Sequence, residues 1–144
     1  MSLFDAIDIS ASGLTANRTR MDVTAENLAN AETTRTANGG PYQRQEVVLQ
    51  QIGGFGAALA GAMNQTPAAG GVQVAGIVSD PTPNQLVYDP GNPDANSKGY
   101  VQMPNVNPVT EMVDMIDESR SYEANVTAMN AAKQMFTSTL NVLK

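Results

Sequence analysis

The sequence predicts a mainly α chain: long N- and C-terminal helices forming an antiparallel coiled-coil-like pair, with a small irregular β segment and extended Pro/Gly-rich loops between them. Two observations predict it. Eleven of the twelve Gly and all eight Pro lie between Gly39 and Pro108, so apart from Gly13 both ends are free of helix breakers. Within those ends, apolar residues recur at helical spacing. The expected division is a helix in 1–31, an irregular segment in 32–107 that includes a mobile loop at 53–71, and a second helix in 108–144.

At the N-terminal end, Phe4, Ile7, Ala11, Leu14, Arg18, Met21, Ala25 and Leu28 follow one another at alternating intervals of three and four. This is a heptad seam with one charged member. Ser2 and Asp5 are suited to capping the start. A helix of about 28 residues is roughly 40 Å long at 1.5 Å per residue, longer than a compact domain of this size needs.

Gln45–Ile52 and Val72–Val78 are short β-prone runs flanked by Gly pairs, and 57–69 is rich in Ala, Gly and polar residues. Pro81, Pro83, Pro90, Pro93 and Pro104 then predict an extended path with turns near Pro90-Gly91 and Asn92-Pro93. The C-terminal helix is well signalled, with Asn107 as cap, Pro108 in the first turn, and Glu111 and Asp114 near the positive end of the dipole. Its seam is Met112, Met115, Ser119, Tyr122, Val126, Met129, Lys133, Phe136, Leu140 and Leu143. Beside it, Ala124, Ala128 and Ala131 form a small-residue strip that lets another backbone approach closely.

Composition removes most chemistry. With no His, the chain lacks the commonest general base and the commonest zinc ligand; with no Cys, it lacks disulfides and thiolate sites. The formal charge of -6, with eight scattered Lys and Arg residues, argues against a nucleic-acid partner. Neither a basic segment leading into an apolar run nor eighteen consecutive apolar residues occurs, so neither a cleaved signal peptide nor a membrane span is expected. No cofactor, metal site or catalytic residue is expected.

Four features admit a second reading. Glu111, Asp114, Asp117 and Glu118 have the spacing of a paired acid and base, but read first as a solvated helix face. Gly53-Gly54-Phe55-Gly56 lacks the Lys and the spacing of a phosphate loop and reads as a connector. Arg18 either pairs with a carboxylate such as Glu123 or lays its stem along the seam and reaches water. Met112, Met115, Met129 and Met135 read as adaptable core filler, their flexibility also suiting a surface that meets non-identical neighbours.

The run Ser10 to Thr33, and above all its core Asn27-Leu28-Ala29-Asn30-Ala31, resembles the N-terminal signature of the bacterial flagellar rod and hook proteins. Gly39 to Arg44, Tyr88 to Pro90, Asn92 to Asp94, Gly99 to Ile116 and Ser119 to Asn125 resemble the proximal-rod members, with Glu111, Met112, Tyr122, Glu123, Ala124 and Asn125 in the C-terminal motif. Short length separates the chain from rod and hook members carrying larger inserted domains.

The resemblance implies a structural, non-enzymatic subunit of the basal-body rod. It would be exported by the flagellar type III apparatus without a cleaved signal, and would pack against copies of itself and other rod proteins to carry motor torque through the periplasm. On this reading the two seams are the assembly surfaces. The alternatives are another proximal-rod subunit, a secreted adaptor or a peptidoglycan-active enzyme using Glu111 to Glu118, and a soluble helical dimer.

Overall fold

The computed structural model describes residues 3–37, 39–53, 62–63 and 70–142. Two long helices, α1 (Leu3–Ala29) and α2 (Pro108–Val142), enclose in sequence four short strands. These are β1 (Gln45–Gln51), β2 (Val72–Ser79), β3 (Gln85–Tyr88) and β4 (Tyr100–Met103). Both helices and the first two strands lie within a residue or two of where periodicity places them. Most of the expected loop at 53–71 lies outside the described residues.

The start of α2 forms as its sequence dictates. The Asn107 side-chain oxygen accepts from the Val109 amide at 3.0 Å, its carbonyl accepts from Glu111 N–H at 3.0 Å, and Pro108 opens the helix. At the end of α1, Asn30 donates to the Glu26 carbonyl from both its backbone and its side-chain amide, at 3.0 and 2.9 Å. This satisfies an acceptor left over by the last turn, after which the chain turns away through residues 30–32.

β1 and β2 pair antiparallel from Gln45↔Ser79 to Gln51↔Val72, with a bulge where Val48 faces Gly76 and Leu49 faces Val74. Both strands pack on α1, and the Ser12 hydroxyl accepts from the Val72 amide at 3.1 Å. β3 and β4 form a second antiparallel pair, from Gln85↔Met103 to Tyr88↔Tyr100.

This second pair corrects the expected extended path. The prolines there flank the strands instead of interrupting them, since residues 85–88 and 100–103 contain none. The expected turns between Pro90 and Asp94 are present and lie in the connection. Asn96 organises that connection, its side-chain oxygen accepting from the amides of Lys98 and Tyr100 at 2.9 and 3.0 Å.

Tyr88 and Tyr100 meet edge to face across the pair, ring centroids 5.3 Å apart. Gly99 sits beside them at φ +80°, and a Cβ there would lie 2.8 Å from Tyr88 Cε2. Gly99→Ala is therefore expected to destabilise the hairpin by about 1–2 kcal/mol through backbone conformation alone, before the ring contact is counted. Amide exchange at Asp89 and Val101 tests this, faster exchange in the variant being the expected result.

The core is small and partly polar. Its buried apolar members among the described residues are Ala16, Val23, Val101, Pro104, Val106 and Ala132, whereas Asn17, Thr24, Asn27, Glu111 and Glu118 are also buried. Glu111 is 1% exposed and Glu118 3%. The acidic run is therefore not a solvated face: two of its four members are buried, because guanidinium and amide groups stand opposite them.

Candidate assembly site

The helices run in opposite directions and meet in layers. Gly13 lies against Asn125, Arg20 Nε is 3.2 Å from Glu118 Oε1, and Asn27 Nδ2 donates to Glu111 Oε2 at 3.0 Å. On each helix these residues are seven apart, and Ala132, buried, stands one further interval along α2. Gly13, Ala16, Arg20, Val23 and Asn27 thus form a stripe with alternating intervals of four and three inside the expected seven-residue frame. It is displaced from the predicted seam by two residues, which places its centre about 160° around the helix. Small and polar residues of this stripe make the contacts of Gly13 with Asn125, Arg20 with Glu118 and Asn27 with Glu111, while the apolar seam residues beside it are half-buried or exposed.

Asn27 and Glu111 form a hub. Asn27 Nδ2 also donates to the Gln45 carbonyl at 2.9 Å, while Oδ1 accepts from the Gln45 amide at 2.9 Å and the Tyr42 hydroxyl at 3.0 Å. Every polar atom of this buried amide is engaged, joining α1 to α2 and to the entry of β1. Burial, with the negative charges of Glu26 and Glu111, pushes the Tyr42 phenol above its ordinary value, so it remains a donor.

Arg44 supplies the countercharge. Its Nε is 2.6 Å from Glu111 Oε1, and its terminal nitrogens reach Glu46, Asp80 at 3.8 Å and Asp114 at 3.5 Å. The hydrogen bond to Glu111 raises the guanidinium above its ordinary value despite partial burial. Asn105 fixes the same strand, its Oδ1 accepting from the Arg44 amide at 2.7 Å and its Nδ2 donating to Thr82 Oγ1 at 2.9 Å.

In the next layer Glu118 Oε1 meets Arg20 and accepts from the Thr24 hydroxyl at 3.3 Å, while its Oε2 is buried without a partner. Burial pushes this carboxyl above the ordinary glutamate range, against the pull of Arg20 and Thr24, and the charges of Asp114 and Glu111 push the same way. Folding thus favours the protonated form. The contribution is most favourable below the unfolded value of about 4.3 and declines as pH rises through the raised folded value. Relative to the natural chain, Glu118→Gln is expected to gain stability as pH rises above the unfolded glutamate value; a flat or falling difference in urea midpoints removes this reading.

The acidic run is consequently a set of ion pairs. Arg44 engages Glu111 and Asp114, Arg20 engages Glu118, and Arg120 lies 4.0 Å from Asp117. Among the described residues no group of carboxylates is placed to hold a metal ion.

The predicted seams have a different placement. Ile7, Leu14, Met21 and Leu28 are half-buried, and Ala11, Arg18 and Ala25 are exposed. On α2, Met115, Tyr122, Val126 and Met129 are half-buried, while Met112, Phe136 and Leu140 are exposed. The Phe4 side chain and Leu143 lie outside the described residues. Arg18, Met21, Ala25, Met115 and Tyr122 line one shared groove of about 470 Å³ between the helices. The seams therefore converge on a groove instead of closing on each other.

Arg18 makes no ion pair among the described residues, which removes the pairing with Glu123. Met112 and Met135 are exposed, so they are not core filler within the single chain. Ala124, Ala128 and Ala131 are likewise exposed.

The Asn27–Ala31 signature thus has two structural roles, with Asn27 holding the hub and Asn30 ending the helix, while Leu28 is half-buried, Ala29 exposed and Ala31 in the turn. Glu123 and Ala124 of the C-terminal motif are exposed, and Asn125 packs on Gly13. The residues that pattern reading passed over are Arg20, Thr24 and Arg44. Their signal was present: Arg20 lies seven residues from both Gly13 and Asn27, and Glu118 seven from both Glu111 and Asn125.

Comparison with known proteins matches the same two helices. Residues 7–35 match the family described as "Flagella basal body rod protein", and residues 97–142 match "Flagellar basal body rod FlgEFG protein C-terminal". The flagellar basal-body rod protein FlgC of Bacillus subtilis is 51% identical over 150 aligned residues that cover both chains completely. That of Borreliella burgdorferi is 44% identical over 161 residues, covering 100% of this chain and 99% of its own. That of Escherichia coli O157:H7 is 44% identical over 142 residues, covering 99% and 98%. With full-length identity at this level and both helices matched, the chain belongs to the FlgC family of flagellar basal-body rod proteins.

Proposed function

We propose that this structural subunit of the flagellar basal-body rod polymerises by packing its apolar seams against neighbouring subunits, and so carries motor torque across the periplasm. The observation that carries the reading is the placement of the seams. The helix pair is held by a stripe of small and polar residues, leaving Met112 47% and Leu140 47% exposed on α2. A neighbour's helix covering such residues removes apolar surface from water at about 25 cal/mol per Å². Many such contacts acting in parallel let a tube resist twisting, since each is weak and the set is large.

In this reading 1–31 and 108–144 form the helical core of the rod, a coiled-coil-like pair completed by neighbours, and 32–107 sits outside it. The partners are copies of the chain and other rod proteins. The subunit reaches the periplasm through the flagellar type III apparatus without a cleaved signal peptide, and its small core suits a chain exported open and ordered on assembly. Among the described residues no helix is long and apolar enough to cross a membrane. The role is mechanical, not enzymatic.

Met112→Asp tests the reading, because an exposed side chain can be charged without disturbing the fold. The purified variant is expected to keep its circular dichroism while its incorporation into basal bodies falls below a tenth and motility is lost. Normal incorporation and motility would refute seam packing. A Cys at Ala124, unique in this Cys-free chain, is expected to crosslink to a rod neighbour.

A further inference from the structure

A second surface lies on the strand side of the helix pair. A groove of about 380 Å³ is bounded by α1, β1 and α2, with Arg20, Thr24, Glu46, Leu49, Asp114 and Glu118 among its walls. Its charge is unbalanced. Three carboxylates, of Glu46, Asp114 and Glu118, line the groove against the two guanidinium groups of Arg44 and Arg20, and Arg44 is shared with two more carboxylates behind the wall, Asp80 and Glu111.

Arg44 is divided among four of these carboxylates, and Glu118 has Arg20 alone. The Glu118 side chain is 4% exposed, and Oε2 accepts no hydrogen bond. An enclosed carboxylate oxygen without a donor is costly, and a charged N–H donor satisfies it best.

We propose that this groove receives a lysine or arginine side chain from a neighbouring rod subunit, whose N–H groups complete the coordination of Glu118. The inference rests on the assembly reading above, and adds to the apolar seams a polar contact that fixes register. The approach is from the rim at Arg20, whose side chain is 40% exposed and engages the other oxygen of Glu118, Oε1. A basic side chain fits where a metal ion does not, because among the described residues no carboxylates are grouped as metal ligands. The local excess of negative charge also steers a cation into the groove before contact.

Glu118→Gln keeps the side chain's shape and removes its charge. Its incorporation into basal bodies is expected to fall at least ten-fold while the purified chain keeps its circular dichroism; incorporation at the natural level overturns the proposal. Met112→Asp run in parallel separates the two readings. If both variants incorporate normally, helix-seam assembly fails too, whereas if only Glu118→Gln does, the groove contact alone falls.

Should Glu118→Gln not fold, a photocrosslinking residue at Leu49, 38% exposed on the groove wall, probes the otherwise natural chain in assembled basal bodies. Adducts within two residues of a Lys or Arg of a rod subunit are expected. Adducts elsewhere, or none, overturn the proposal.

Discussion

Arg44→Ala is expected to lower the unfolding free energy by about 3–5 kcal/mol, the usual cost of removing one partner from a buried ion pair. Glu111, 1% exposed, would lose the 2.6 Å contact to Arg44 Nε and keep Asn27 as its remaining side-chain donor. Asp114 and Asp80 would lose the same cation, so the local repulsion would no longer be offset.

The loss is a large share of the roughly 5–15 kcal/mol by which domains are stable. The cause can be isolated by a double-mutant cycle. Arg44→Met with Glu111→Leu removes both charges, and is expected to be closer to the natural chain than Arg44→Ala. Urea unfolding reads both; a single-variant loss under about 1 kcal/mol would mean that Glu111 finds water or another donor, and that the pair is not structural.

The ends of this fold were legible because they depend on local rules. Runs with few Gly and no internal Pro become helices, Asn107-Pro108 starts one, and β-prone runs at 45–51 and 72–79 become strands. What lies between the helices was harder to read. Pattern reading assigns burial to apolar residues, and by that rule Leu14, Met21 and Leu28 belong inside while Gly13, Arg20 and Asn27 do not.

The structure buries Asn27 fully and leaves Gly13 and Arg20 half-buried alongside Leu14, Met21 and Leu28, because the facing stripe on α2 is polar in a matching way, with Asn125, Glu118 and Glu111 opposite. No single-helix pattern carries that information. The countercharge for Glu111 comes from Arg44, on neither helix, and the second strand pair forms between segments twelve residues apart across a Pro- and Asn-rich turn. In both cases the decisive partner is distant in sequence, whereas periodicity reports only on near neighbours.

Asn27→Ala is expected to cost about 3 kcal/mol, since it strands the Gln45 amide and carbonyl and an oxygen of the buried Glu111. Asn27→Asp distinguishes the amide's hydrogen bonds from its volume. The aspartate keeps the acceptor for Tyr42 and the Gln45 amide, but places a carboxylate where Nδ2 now donates to Glu111 and the Gln45 carbonyl. Two like charges at hydrogen-bond distance cannot both remain ionised, so the pair would take up a proton in the folded state.

That proton is bound more tightly folded than unfolded, so the aspartate variant should recover stability as pH falls below neutral and lose it as pH rises; the alanine variant should show no comparable trend. If both variants follow the same pH course, the hub acts through packing alone. In the alanine variant the Gln45 amide, which anchors the entry of β1 to α1, is expected to exchange faster while the middle of α2 keeps its protection. This would separate the polar hub that holds the subunit together from the apolar seams left for its neighbours.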